Sequence, residues 1–158
     1  MTITLKPLSS TDFDILKKIY RSTREAELTA NNWNEEQKTR FIEFQFNAQH
    51  AHYLSTFKGA ELNIILLKRK TIGRLYVWET ETQIRLIDIS ILPEYKNKGI
   101  GTRILKDLIK RANKAGKVLN LHVAHHNPAL KLYERFGFKT TEDTGAYYFM
   151  ERMPESNS

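Results

Sequence analysis

From residue 84 to residue 115 the chain passes from one apolar pattern to another. Residues 84–92 (IRLIDISIL) are largely β-branched and broken only by Arg85, Asp88 and Ser90, the pattern of a strand buried on both faces. Pro93 ends that strand. Ile100, Ile104, Leu105, Leu108, Ile109 and Ala112 then recur at helical spacing, with Arg103, Lys106, Lys110, Arg111 and Lys114 between them. An amphipathic helix follows from this, and Gly116 stands where a C-cap belongs.

The rest of the chain reads in the same terms. Residues 3–8 predict a short strand, closed by Ser9, Ser10, Thr11 and Asp12, all good N-caps. Phe13, Leu16, Ile19 and Tyr20 form the stripe of a first helix that fades from Glu25 to Asn31 and Asn32. Asn34 caps a second helix, with Glu35 and Glu36 in its first turn and a packing stripe of Phe41, Phe44, Ala48 and Ala51. Gln45, Gln49 and His52 fall near one face of it, either solvated surface or the wall of a cleft. Residues 61–67 and 71–80 make a hairpin around Lys68, Arg69 and Lys70.

Residues 117–124 (KVLNLHVA) are a strand again. Strand, helix and strand of these lengths make a βαβ unit, so residues 84–92 and 117–124 run parallel. Asn127 is placed at an N-cap and Pro128 at the first position of a further helix, with Leu130, Tyr133 and Phe136 on its packing face and Gly137 at its end. Residues 138–141 and 146–153 pair antiparallel, and residues 154–158 read as a disordered tail.

Composition narrows the functional classes. A chain of 158 residues suits one domain, residues 1–153, with 41% hydrophobic and 27% charged residues. It carries no apolar run long enough to span a membrane and no apolar leader core, so the expected location is the cytoplasm. With no cysteine, disulfides, thiolate metal sites and a cysteine nucleophile are excluded. His50, His52, His125 and His126 have no metal-binding spacing, and no metal is expected. The net charge of +7 is spread along the chain without a nucleic-acid motif, so no nucleic-acid partner is expected.

Between the strand and the amphipathic helix lies Lys96-Asn97-Lys98-Gly99-Ile100-Gly101-Thr102. Glycines at a helix N-terminus let free N–H groups approach phosphate oxygens. The dinucleotide fingerprint fails at Ile104, and the P-loop fails because Thr102 and Arg103 follow Gly101. The stretch instead resembles the Gln/Arg-x-x-Gly-x-Gly/Ala signature of the GNAT superfamily of acyl-CoA-dependent N-acetyltransferases. Lys96 replaces the usual Gln or Arg, keeping charge and donor but losing planar bidentate geometry. Residues 127–138 (NPALKLYERFGF) resemble the family's second signature, N-x-A-x-x-L-Y-x-x-x-G-F, at every position.

The resemblance implies an α/β fold, with a splayed mixed sheet of about six to seven strands flanked by about four helices. It also implies acetyl-CoA as co-substrate, an amine as acceptor, and a monomer or homodimer. The implied cofactor set is Ile91, Leu92, Lys96, Asn97, Lys98, Gly99, Ile100, Gly101, Thr102, Asn127, Ala129 and Tyr133. Acyl transfer to an amine needs a neutral nucleophile, yet a lysine-like ammonium has a pKa of about 10.4, so a proton must leave first. The resemblance places Tyr133 beside the coenzyme A sulfur as the acid; helical pattern alone reads it as a packing tyrosine. For the base, strand alternation offers His122 or Asp88, and His122 matches a glutamate base of some relatives. A backbone N–H at Ile91 or Leu92 is the simplest oxyanion donor. Trp33, Trp78, Tyr147 and Tyr148 are either acceptor walls or packing. The reading is an N-acetyltransferase acting on a primary amine through a ternary complex; the alternative is a non-catalytic acyl-CoA-binding regulatory module.

Overall fold

The computed structural model describes residues 2–156. Its elements run β1 (Ile3–Pro7), α1 (Phe13–Ser22), α2 (Glu25–Ala30), α3 (Glu35–Thr56), β2 (Glu61–Leu67), β3 (Lys70–Glu79), β4 (Gln83–Ile91), α4 (Ile100–Ala115), β5 (Val118–Ala124), α5 (Ala129–Arg135), β6 (Lys139–Asp143) and β7 (Tyr147–Arg152). The strands form a mixed seven-stranded sheet in the order β1-β2-β3-β4-β5-β7-β6. A helix beyond the expected number arises where the first one breaks. Thr23 and Arg24 donate their N–H groups to Tyr20 and Arg21 carbonyls, and the Ser22 and Thr23 hydroxyls bond Ile19 and Tyr20 carbonyls. Such local bonds compete with helix continuation, and α2 starts anew at Glu25.

Two compact units make up the chain: Met1–Tyr76 with Asp88–Lys98, and Val77–Ile87 with Gly99–Ser158. In the first, β1 pairs antiparallel with β2 from Ile3↔Leu67 to Pro7↔Asn63. Leu16, Ile19, Tyr20, Leu28, Ile42, Phe46, Ile64 and Leu92 form its core, and Trp33 packs against that cluster, 4.9 Å from the Phe41 ring. Lys68 (φ 50) and Arg69 (φ 67) both sit in the left-handed region, so a tight two-residue turn joins β2 to β3.

The packing face of α3 differs from the sequence reading. Ile42 and Phe46 are buried, whereas Phe44 is 75% exposed. Two residues are about 200° around a helix, so Phe44 cannot share their face. Gln45 and Gln49 do lie toward that inner side, one bonded by Tyr20 and the other by Arg74. Their amides are taken up by partners within the unit, while His52, the third member of the expected polar stripe, is exposed.

The second unit contains the expected βαβ crossover. β4 and β5 pair parallel from Gln83↔Val118 to Leu86↔Leu121, with α4 between them in sequence. The α4 stripe of Ile100, Ile104, Leu105, Leu108 and Ala112 is buried, and Gly116 (φ 67) caps it in the left-handed conformation. β7 pairs antiparallel with both β5 and β6. Helix α5 begins one residue later than expected. Pro128 is its N-cap, and Asn127 Oδ1 instead accepts the Ala129 N–H at 2.9 Å. Beyond β7, Glu155 donates its N–H to Asn113 Oδ1 and pairs with Arg152 at 2.9 Å. Of the expected disordered tail, residues 157–158 lie outside the described residues.

Candidate active site

The turn after β4 is built by its backbone. Leu92 is buried and donates its N–H to the Ile72 carbonyl at 2.8 Å, which fixes the strand end. That bond spends the Leu92 N–H, so the expected oxyanion role does not fit Leu92. Residues 93–95 form a single 3₁₀ turn, and Lys96 leaves it extended (φ −72, ψ 157). Asn97 (φ 60) and Gly99 (φ 80) are both left-handed, and Gly99 is the N-cap of α4. Left-handed residues before a helix start turn successive N–H groups toward one concavity, the kind that holds anions. No atom lies within 4 Å of where a Cβ on Gly99 would stand, so the cradle opens onto free space.

The surrounding side chains fit a polyanion. Lys96, Asn97 and Lys98 are exposed, while buried Ile100 anchors the helix start and Gly101 and Thr102 are half-buried. Lys98 Nζ and Lys70 Nζ lie 5.8 and 5.6 Å from the Tyr95 ring centre. Cations held over an aromatic face stay near the turn without neutralisation by a carboxylate.

In the first unit Asp88 lies within a buried polar network. Arg74 Nη2 donates to Asp88 Oδ2 at 2.6 Å and to Gln49 Oε1 at 2.7 Å. The Tyr53 hydroxyl donates to Asp88 Oδ2 and the Ser90 hydroxyl to Asp88 Oδ1, at 3.3 and 2.9 Å. The Arg74 guanidinium also sits 5.0 Å from the Tyr76 ring and under 6 Å from those of Tyr20 and Phe46. Burial raises the Tyr53 phenol pKa, and the Asp88 charge adds to that. A carboxylate so engaged is occupied with holding Arg74.

A cavity of about 440 Å³ in the same unit is lined by Leu8, Phe13, His50, Leu62 and Asn63, among others, and by none of the predicted site residues. His50 stacks on Phe46 and meets Phe13 edge-on; burial lowers its pKa, and the Arg74 charge does too.

In the second unit Arg85 pairs with Asn120 in the ladder and its Nε donates to Asn120 Oδ1. Arg85 and Asn120 therefore share a face, and His122 follows on it by alternation along β5. His122 lies 4.9 Å from the Phe149 ring. Burial and the Arg85 cation push the His122 pKa below its ordinary value, with Glu142 opposing. Tyr133 is 8% exposed and packs on Phe138, ring centres 5.6 Å apart.

The pairing that sequence reasoning missed is between the loop before α5 and the β6–β7 turn. His125 Nε2 lies 2.8 Å from Asp143 Oδ1, and its ring stacks on Tyr148 at 4.1 Å and 28°. Asp143 Oδ1 also accepts the Gly145 N–H at 2.9 Å, and the His125 N–H bonds the Ala146 carbonyl. The Gly145 bond, and then His125, hold the Asp143 carboxyl below its usual range. Tyr148 therefore packs on this histidine, and no group of three or more His, Asp or Glu able to hold a metal occurs among the described residues.

A glycine turn thus opens the helix of a βαβ unit, and Asn127 and Tyr133 stand on the turn and helix after the next strand. The chain belongs to the GNAT acetyltransferases: the family profile for the acetyltransferase (GNAT) domain matches residues 29–148. It is 33% identical over 91 residues to the mouse (Mus musculus) cysteine-rich protein 2-binding protein, 56% of this chain and 11% of that one. It is 31% identical over 75 residues to the Arabidopsis thaliana histone acetyltransferase MCC1, 46% of this chain and 30% of that one. The chain thus spans a minor part of the length of these relatives. By structure it resembles the Thermoplasma acidophilum PaiA N-acetyltransferase crystallised with coenzyme A, with TM-score 0.72, 21% identity, and coverage of 97% and 99% of the two chains. It also resembles the Escherichia coli ribosomal-protein-S18-alanine N-acetyltransferase, with TM-score 0.64, 19% identity, and coverage of 99% and 97%.

Proposed function

We propose that this chain transfers an acetyl group from acetyl-CoA to a primary amine by direct attack within a ternary complex. The observation that carries the reading is the backbone of the turn, where left-handed Asn97 and Gly99 open α4 onto free space beside Lys96 and Lys98. This turn would hold the pyrophosphate through the N–H groups of Gly99, Ile100, Gly101 and Thr102. The candidate pantetheine contacts are Ile91 in the first unit and Asn127 and Ala129 in the second. Acetyl-CoA supplies the activated thioester. Tyr133 protonates the departing sulfur, and the Ile91 N–H stabilises the oxyanion.

Asp88 is assigned a structural part, because Arg74 holds its carboxylate. The proton of the acceptor ammonium then passes to an imidazole, with His122 as the strand candidate. The acceptor class follows the relatives only coarsely: one is named for histones and another for an alanine of a ribosomal protein, both protein amines. The test is acetyl-CoA-dependent thiol release across polyamines, amino acids, aminoglycosides and short peptides, with calorimetric coenzyme A binding on the same sample. Amine-dependent turnover supports the reading and names the acceptor class. Binding without turnover supports the regulatory module, and absence of coenzyme A binding removes both.

A further inference from the structure

We infer that the His125–Asp143 pair is the proton-accepting dyad of this site, with His125 as the base and Asp143 as its positioning residue. The inference rests on the acetyl-transfer reading and names the group that makes the acceptor amine nucleophilic.

A carboxylate can only accept, so the 2.8 Å contact between Asp143 Oδ1 and His125 Nε2 puts the ring proton on Nε2. The lone pair of the neutral ring is then on Nδ1. Three further contacts hold this arrangement: Tyr148 against the ring at 4.1 Å, the Gly145 N–H on Asp143, and the His125 N–H on the Ala146 carbonyl. An imidazole can take a proton on one ring nitrogen while the other donates to a carboxylate that fixes its orientation. The groups that face the ring are Asp143 at the end of β6 and Tyr148 on β7, with His126 beside it in the loop. The His125 and Asp143 side chains are 25% and 52% exposed, so the pair lies at the surface of the second unit and is open to an incoming amine.

His122 offers less. Burial first and the Arg85 cation second disfavour the imidazolium that a base at His122 must become, with Glu142 opposing, and no carboxylate hydrogen bond orients its ring among the described residues. His125 also lies two residues before Asn127, on the same loop.

The step balances as follows. His125 Nδ1 takes one proton from the acceptor ammonium, leaving a neutral amine whose lone pair forms the N–C bond to the acetyl carbon. When the C–S bond breaks, its electron pair goes to sulfur, and Tyr133 gives that sulfur its hydroxyl proton. The tyrosinate recovers the second amine proton as the amide forms. His125 releases its proton to water.

The experiment compares kcat and kcat/KM against pH for wild type, His125→Gln, Asp143→Asn, His122→Gln and the control His126→Gln, on an amine from the panel. His125→Gln is expected to lower kcat by about a hundredfold and to abolish the acidic limb of the profile, with coenzyme A affinity within about twofold of wild type. Asp143→Asn should keep the limb but slow turnover by about tenfold or more, and His126→Gln should keep both. Nitrogen-15 spectra of the wild-type imidazoles should show the Nε2–H tautomer for His125. An active wild type whose His125→Gln variant keeps its rate and limb overturns the dyad and leaves acetyl transfer standing; so does a limb lost only in His122→Gln, or an Nδ1–H tautomer. A wild type that turns over no amine overturns the acetyl-transfer reading and the dyad with it.

Discussion

Arg74 Nη2 and Asp88 Oδ2 lie 2.6 Å apart with side chains only 2% and 14% exposed, so the first unit carries an ion pair inside its core. Removing one partner leaves the other charge buried. Asp88→Ala should therefore destabilise the protein by about 3 to 5 kcal/mol in urea unfolding, whereas Arg74→Met with Asp88→Leu should lose much less than the sum of the single changes. Equal additivity would show that the pair is not coupled.

Gly73 is required for close approach. A Cβ there would stand 2.2 Å from the Ser90 carbonyl oxygen, which is backbone and cannot rotate away. Gly73→Ala should cost about 1 to 3 kcal/mol, read as a lower thermal midpoint. An unchanged midpoint would mean that β3 and β4 part at no cost.

Tyr133→Phe keeps the ring against Phe138 and removes only the hydroxyl. Turnover should fall by about a hundredfold while calorimetric coenzyme A affinity holds. Equal loss of affinity would assign Tyr133 to packing rather than proton transfer.

Glu79 accepts hydrogen bonds from Lys117 at 2.7 Å and Arg111 at 2.5 Å, which lower its pKa from the ordinary 4.5. A depressed carboxylate adds stability that is fully present above its unfolded value and is lost as pH falls through the folded one. The side chain is 30% exposed, so the effect is small, about 0.5 to 1 kcal/mol. Glu79→Gln should thus lower the midpoint at pH 7 and make no difference well below the folded value. A gap that persists into strong acid would point to packing instead.

Lys68 and Arg69 occupy left-handed backbone that neither prefers. Replacing them with Asn-Gly should raise stability by about 0.5 to 2 kcal/mol, measured by urea midpoint.

The βαβ unit was legible because the apolar period changes from strand to helix between Ile91 and Ile100, and Gly99 and Gly116 mark both helix ends. Both motif turns could be read for the same reason: their signal is local. The inner face of α3 could not, since its packing set alternates Ile42 and Phe46 with Gln45 and Gln49, whose polar groups are satisfied by Tyr20 and Arg74. Buried polar groups that are paired look like surface in a one-dimensional pattern. Asp88 read as a free carboxylate because its partner is 14 residues away on another strand. The His125–Asp143 contact spans 18 residues and depends on the turn between β6 and β7, which no spacing rule encodes.

The buried Arg74 also orders the assembly of the first unit. A guanidinium taken out of water alone costs several kcal/mol, and Asp88, on the neighbouring strand, is its only ion-pair partner among the described residues. Routes in which β3 and β4 zip together before α1 and α3 close over them keep both charges matched throughout. Routes that dock Phe46 and Tyr20 first bury that cation before its partner arrives, a desolvation cost that the paired route avoids.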